Sequence, residues 1–284
     1  MKLLLICNPG SFSKSINELL SSDFNTEIHY VNKRLMVASN KKKIKDKLIK
    51  NKEKYNFLIY LSGETRDKSL MKKFNKDLLI EIAKICTISN INLIYMSSIS
   101  VYGIPRTKLV SNDSIRAPIG LYGETKNSVD IYFKKNKNKV LIFNFLPASL
   151  IIPHSKNSFY KKLKKFMQKK IIKLIFFLLC PGGQFIFCDT KDIANEIKRA
   201  INFSKTYLER KSANKIFYFE KIIARSIKVK DIYYESNGLY PICTIPNINL
   251  QLVKIIFFFL NPLILLRIIY LFSKVEFKNK EINF

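Results

Sequence analysis

Tyr122-Gly-Glu-Thr-Lys126 is the segment of this sequence whose residue types and spacing can do chemistry. A tyrosine and a lysine four residues apart share one helix face. An ammonium beside a phenol favours the phenolate and lowers a pKa that is ordinarily near 10. Such a tyrosine exchanges a proton with a substrate hydroxyl near neutral pH. The spacing alone is common on surface helices, so its surroundings decide. Ser97, Ser98 and Ser100 precede it, just past the apolar run Leu93–Met96. A strand ending there sets hydroxyls at the mouth of a sheet.

Short apolar runs at Lys2–Cys7, Phe57–Leu61, Leu93–Met96, Val140–Phe145 and Phe185–Phe187 supply strands, and Thr26–Val31, which alternates weakly, supplies another. Helical patterns lie between them at Ser13–Ser21, Lys68–Ser89, Tyr122–Lys135 and Lys191–Asn202. Buried strands alternating with helices predict an α/β fold with a doubly wound, Rossmann-like parallel sheet covered on both faces. Ligands bind such sheets at the carboxyl ends of the strands. We expect this domain over residues 1–155. Residues 156–284 are expected to form a smaller, mostly helical substrate-binding region, with a strand and helix near 185–202 returning to the first domain.

Composition narrows the class. The 284 residues are 48% hydrophobic and 25% charged, with 8 Gly and 9 Pro, which excludes disordered and collagen-like chains. Lys and Arg number 50 against 21 Asp and Glu, a net charge of +29. An anionic partner is one reading of that excess. A lysine-rich composition is the other, because the lysines spread from Lys2 to Lys280 and no nucleic-acid-binding motif accompanies them. Cys7, Cys86, Cys180, Cys188 and Cys243 have no metal-ligand spacing and are odd in number, so neither a metal site nor a disulfide framework is expected. The apolar start is too short for a signal-peptide core and reads as a first strand, consistent with a cytoplasmic protein. Lys161–Lys170 is basic, and Ile255–Phe272 is apolar but interrupted by Pro262 and Arg267. Helices packing on the sheet are the plain reading of both, and peripheral contact with an anionic membrane is the alternative.

Together these residues resemble the extended short-chain dehydrogenase/reductase family, the NAD-dependent epimerases and dehydratases of nucleotide sugars. The resemblance rests on Ser97-Ser98, Val101-Tyr102-Gly103, Asp113 and Pro118, then Tyr122 to Lys126, and extends along almost the whole chain. It implies that Ser98 orients the reacting hydroxyl, Tyr122 is the acid/base and Lys126 holds the nicotinamide ribose. It further implies that NAD or NADP runs past Cys7, Gly10, Ser11 and Phe12 on the first turn and past Arg34 after the second strand. Leu61, Ser62, Gly63, Asn75, Met96 and Pro147 complete that path, with Tyr122 and Lys126. Ser98, Ser100, Tyr122 and Ser149 face a substrate of the UDP-hexose or UDP-N-acetylhexosamine kind. The implied activity is hydride transfer at a sugar carbon, as epimerase or oxidoreductase in surface polysaccharide synthesis, with a homodimer as the family's common assembly.

The departures are specific. The family's opening Gly-x-x-Gly-x-x-Gly falls on Cys7, Gly10 and Ser13. Asn32-Lys33-Arg34 replaces the usual acidic residue after the second strand, which leaves NADP and a solvated strand end both open. Leu146 stands for an arginine, and Ile151-Ile152 for Tyr-Gly, so the expected phosphate contact is missing there. Ile99 and Ser100 occupy the Asp-Glu positions of the 4,6-dehydratases, and Ile cannot move a proton, so dehydration is not expected. The eroded glycine turn supports a rival reading, a catalytically weak relative that binds a sugar nucleotide or a partner protein. His29 and His154 are isolated, and Cys188 lies among apolar neighbours.

Overall fold

The structure is a computed structural model. It describes residues 1–32, 37–50, 55–105, 109–136, 139–152, 159–178, 180–209, 217–245 and 276–277. Its centre is built from six strands, of which β1, β3, β4 and β6 are mostly apolar and buried. β1 (Lys2–Cys7) leads through α1 (Ser11–Ser21) to β2 (Asn25–Tyr30), and α2 (Val37–Lys50) leads to β3 (Phe57–Tyr60). A helical run follows, made of α3 (Lys68–Lys72), a π turn (Lys73–Asp77) and α4 (Leu78–Ser89). Then come β4 (Asn92–Met96), a 3-10 turn (Ile99–Tyr102), β5 (Leu109–Val110), α5 (Gly120–Lys135), β6 (Ile142–Pro147) and β7 (Ser149–Ile151). The remainder comprises α6 (Phe159–Met167), α7 (Lys170–Leu178), β8 (Cys180–Pro181), β9 (Gln184–Asp189), α8 (Thr190–Glu209), β10 (Tyr218–Ile223), β11 (Arg225–Lys228), α9 (Val229–Asn237), β12 (Thr244–Ile245) and β13 (Glu276–Phe277).

β10, β6, β4, β3, β1 and β2 form one sheet in that order, every pair parallel. Period-2 alternation sends Leu3 and Leu5 to one face and Leu4 and Ile6 to the other. The first face packs on α1 and α8 through Ile16, Ile193 and Ile197, and the second on α2, α4 and α5 through Ile44, Ile82 and Phe133. This is the doubly wound fold that the apolar runs predict. The strand order reverses between β1 and β3, which makes their carboxyl ends the crevice where such sheets bind ligands. Among the described residues no strand lies outside β2, so that side is one strand shorter than the order 3-2-1-4-5-6 of a full dinucleotide fold.

The return of the chain to this sheet differs from expectation. The strand expected at 185–187 is β9, and it pairs with β7 and β11 in a separate three-stranded sheet. α8 does come back: Ser15 donates to Thr190 Oγ1 at 3.1 Å, and Lys198 pairs with Asp23 at 2.7 Å. The strand that closes the main sheet is β10, whose sequence Tyr-Phe-Glu-Lys-Ile-Ile lacks a continuous apolar run. The boundary expected at residue 155, together with Arg34, His154 and Ile255–Phe272, lies outside the described residues.

Candidate active site

α5 carries Tyr122 and Lys126 and must lie against the end of β4 to meet Ser98. Two glycines allow it. Gly103 has φ +59, and a Cβ there would fall 1.8 Å from the Ala117 carbonyl oxygen, so this turn admits no side chain. A Cβ on Gly123 would fall 2.9 Å from the Ser100 carbonyl oxygen. α5 therefore approaches the 3-10 turn backbone to backbone. Ser98 caps that turn, its Oγ accepting from the Ser100 N–H at 3.2 Å.

The structure brings Ser98, Tyr122 and Lys126 together. The Ser98 hydroxyl lies near enough to the Tyr122 hydroxyl to pull its pKa down, and the Lys126 Nζ stands 6.0 Å from the Tyr122 ring centre. Lys126 is buried and donates to the Met96 carbonyl at the end of β4, 2.7 Å away. The expected direction of the phenol's pKa is corrected here. Burial pushes Tyr122 above its ordinary value, and the Ser98 hydroxyl only partly offsets this. The lysine yields instead: burial draws its ammonium down to about 8, against a smaller opposing pull from Asp130. Desolvation of two buried groups outweighs their interaction at this distance.

That burial carries a pH signature. Between about pH 8 and pH 10 the unfolded chain holds a proton on Lys126 that the folded chain has lost, so stability rises with pH over this window. The cost of the buried ammonium is fully present below pH 8. Lys126→Met removes the group from both states. Its stability relative to the native chain is expected to fall by about 1.4 kcal/mol per pH unit across that window. Urea unfolding at several pH values measures this, and a pH-independent difference between the two proteins would refute it.

The phosphate end lies where β1 meets α1. No acidic residue stands in the first turn of α1 and no side chain caps it, so the amides of Ser11, Phe12 and Ser13 are open to an anion. A Cβ on Gly10 would meet nothing within 4 Å. Cys7 is turned into the core, its thiol pushed up by burial. Ser13 fills the third glycine position, bonding the Asn8 and Gly10 carbonyls at 2.9 and 3.0 Å. Asn8, which sequence reasoning passed over, ties the turn to the end of β3: it donates to the Gly63 carbonyl at 2.7 Å and accepts from Ser62 at 2.9 Å. Neither substitution in the glycine motif occupies the space before α1.

Other candidates divide between site and scaffold. Gly63 lies beside Lys126, because a Cβ there would stand 3.7 Å from its Nζ and 3.5 Å from Asn75 Oδ1. Asn75 sits on the π turn, fully buried, and spends its amide on the Glu64 backbone at 2.7 and 2.9 Å and on Thr125 at 3.3 Å. Leu61 is buried near the same strand end. Ser100 Oγ is buried with no hydrogen-bond partner among the described residues, a polar atom available to a ligand. Pro147 closes β6 and is buried, whereas Ser149 opens β7 and is exposed. The residues fit a dinucleotide with its pyrophosphate at α1 and its nicotinamide end near Lys126 and Tyr122.

Behind the site is a charged cluster. Asp130, fully buried, accepts from Tyr95 at 2.8 Å, from Ser97 at 2.8 Å and from Arg116 at 2.7 Å. Arg116 also pairs with Glu220 on β10, which takes Lys134 at 3.1 Å and Tyr218 at 3.0 Å. Asp130 follows Lys126 by four residues on the same helix face, a spacing visible in sequence. Arg116 and Glu220 carry no local signal.

No family model matches the chain, and no curated protein does. Solved structures match it in fold. A dTDP-4-dehydrorhamnose reductase from Bacillus anthracis in complex with NADP is 17% identical, over 87% of this chain and 84% of that one, with TM-score 0.61. UDP-glucose 4-epimerase from Brucella ovis in complex with NAD is 12% identical over 86% and 85%, with TM-score 0.62. The Bordetella bronchiseptica enzyme WbmG, in complex with NAD and UDP, is 14% identical over 86% and 80%, with TM-score 0.60. At such identities the likeness is one of fold.

Proposed function

We propose that this chain is an NAD(P)-dependent enzyme of the extended short-chain dehydrogenase/reductase family that oxidises or reduces a carbon of a nucleotide sugar. The observation that carries the proposal is the meeting of Ser98, Tyr122 and Lys126 at the end of β4, beside the uncapped start of α1. A nicotinamide bound there supplies the hydride donor or acceptor. Ser98 orients the sugar oxygen. Tyr122, protonated at neutral pH, gives its proton to a carbonyl oxygen in reduction and recovers it in oxidation. Lys126 holds the ribose hydroxyls and supplies positive charge next to the phenol. This half-reaction is common to a reductase and an epimerase, and the enzymes of like fold include both. With Ile99 and Ser100 where a dehydratase needs an acid and a base, loss of water is not part of the reaction. A nucleoside-diphosphate sugar for surface polysaccharide synthesis is the substrate class we assign.

Calorimetric titration of the purified protein with NAD, NADH, NADP and NADPH tests the reading. Micromolar binding of one pair is the expected result, followed by absorbance change at the nicotinamide band with a UDP- or dTDP-hexose. No binding of any of the four by folded protein would overturn it and leave the catalytically weak relative as the better account.

A further inference from the structure

α7 presents its apolar stripe to solvent. Ile171, Leu174, Ile175 and Leu178 fall at i, i+3, i+4 and i+7, the pattern that ordinarily packs inward. Here Ile171 is 74% exposed and Leu174 59%, and no residue of the helix is fully buried. The inward contacts are made by Phe176 and Phe177, against a small cluster around Met167, Cys180 and Tyr233. The loop after α9 extends the patch. Ile242, 70% exposed, donates its N–H to the Phe177 carbonyl at 2.7 Å. Leu239 joins Leu174 and Phe177 around a shallow apolar hollow of about 290 Å³, rimmed by Lys170 and Lys173.

The two helices that carry the patch have charge of one sign. Residues 159–178 contain seven lysines and no Asp or Glu, within a chain of net charge +29. No helix among the described residues is long and apolar enough to cross a membrane. α7 has nine residues, about 14 Å of helix, roughly half the depth of a hydrocarbon core. An exposed apolar stripe bordered by lysines, on a helix too short to span, suits the plane of a lipid interface: apolar side chains enter the acyl boundary and ammonium groups meet phosphates. A second copy of the chain suits it poorly, because a two-fold contact brings the same lysines face to face.

We propose that α7 and the loop at 239–242 dock this protein on an anionic membrane surface. The contact is independent of the reaction assigned above.

The test is co-sedimentation of the full chain with vesicles of phosphatidylcholine alone and of phosphatidylcholine with phosphatidylglycerol. Binding to the anionic vesicles only, weakened as salt shortens the screening length below about 10 Å, is the expected result. The double variant Leu174→Glu/Ile175→Glu is expected to lose binding at least about tenfold at an unchanged melting temperature, since both side chains are exposed. Native protein left in the supernatant would overturn the proposal. So would a variant that binds as well as native, which would place the contact elsewhere, for example at Ile255–Phe272. A native dimer that the variant converts to monomer, without vesicle binding in either, would assign the patch to a second copy.

Discussion

Tyr122→Phe is expected to lower turnover by about a thousandfold while leaving the fold and cofactor affinity in place. The ring stays, and with it the packing beside Lys126. What goes is one oxygen, the group to which the proposed reaction assigns the proton exchange with the sugar. The change therefore falls on kcat, with the dissociation constant of NAD(P) shifted no more than about twofold. The native pH profile follows from the same geometry. The phenol is held protonated by burial, so reduction runs at a constant rate through neutral pH and slows only in alkali, whereas oxidation speeds up as pH rises. Rates in both directions, with thermal denaturation and cofactor titration as controls, measure all of this. A variant that keeps native kcat would remove Tyr122 from the mechanism.

The meeting of Ser98, Tyr122 and Lys126 is legible in the sequence because the elements that carry them announce themselves locally. β1, β3, β4 and β6 are buried on both faces, so they read as mostly apolar runs, and the serines fall directly after one of them. Two helices illustrate the limit. α5 has its tyrosine and lysine in register, and it was found. α2 buries Asn40, Ile44 and Leu48 at helical spacing, but a polar residue holds one of these positions and lysines fill most of the rest, so the period is faint in sequence. β10 is not legible because Glu220 stands in its middle, and the cations that make a buried glutamate tolerable there, Arg116 and Lys134, lie far away in sequence. The direction of α7 was likewise hidden. A periodic apolar stripe states that a face exists, not whether protein or solvent lies against it. The glycine motif gave the opposite lesson, since the losses at positions 7 and 13 look severe in sequence. In space Cys7 joins the core, Ser13 seals the turn, and Asn8 supplies a tie that no motif predicts.

Arg116→Met is expected to destabilise the protein by about 3–5 kcal/mol, because it leaves the buried carboxylates of Asp130 and Glu220 without their shared cation. The arginine is 12% exposed at its side chain and Asp130 not at all, so water cannot take its place cheaply. Lys134 still reaches Glu220, but Asp130 keeps only the hydroxyls of Tyr95 and Ser97. If the penalty is that of stranded charge, neutralising the charges relieves it. Adding Asp130→Asn and Glu220→Gln to Arg116→Met is expected to restore more than half of the loss in urea unfolding. If the arginine acts chiefly by filling space over the Tyr102 ring, 5.5 Å away, the triple variant will be no more stable than the single one. The distinction bears on catalysis. Ser97 adjoins Ser98 on the chain, and Asp130 stands one turn beyond Lys126 on α5, so the same ion cluster that steadies β10 also ties the segment of Ser98 to the helix of Lys126. A stranded Asp130 loosens that join, and the single variant should lose kcat beyond what its unfolded fraction explains, with the triple variant recovering part of both.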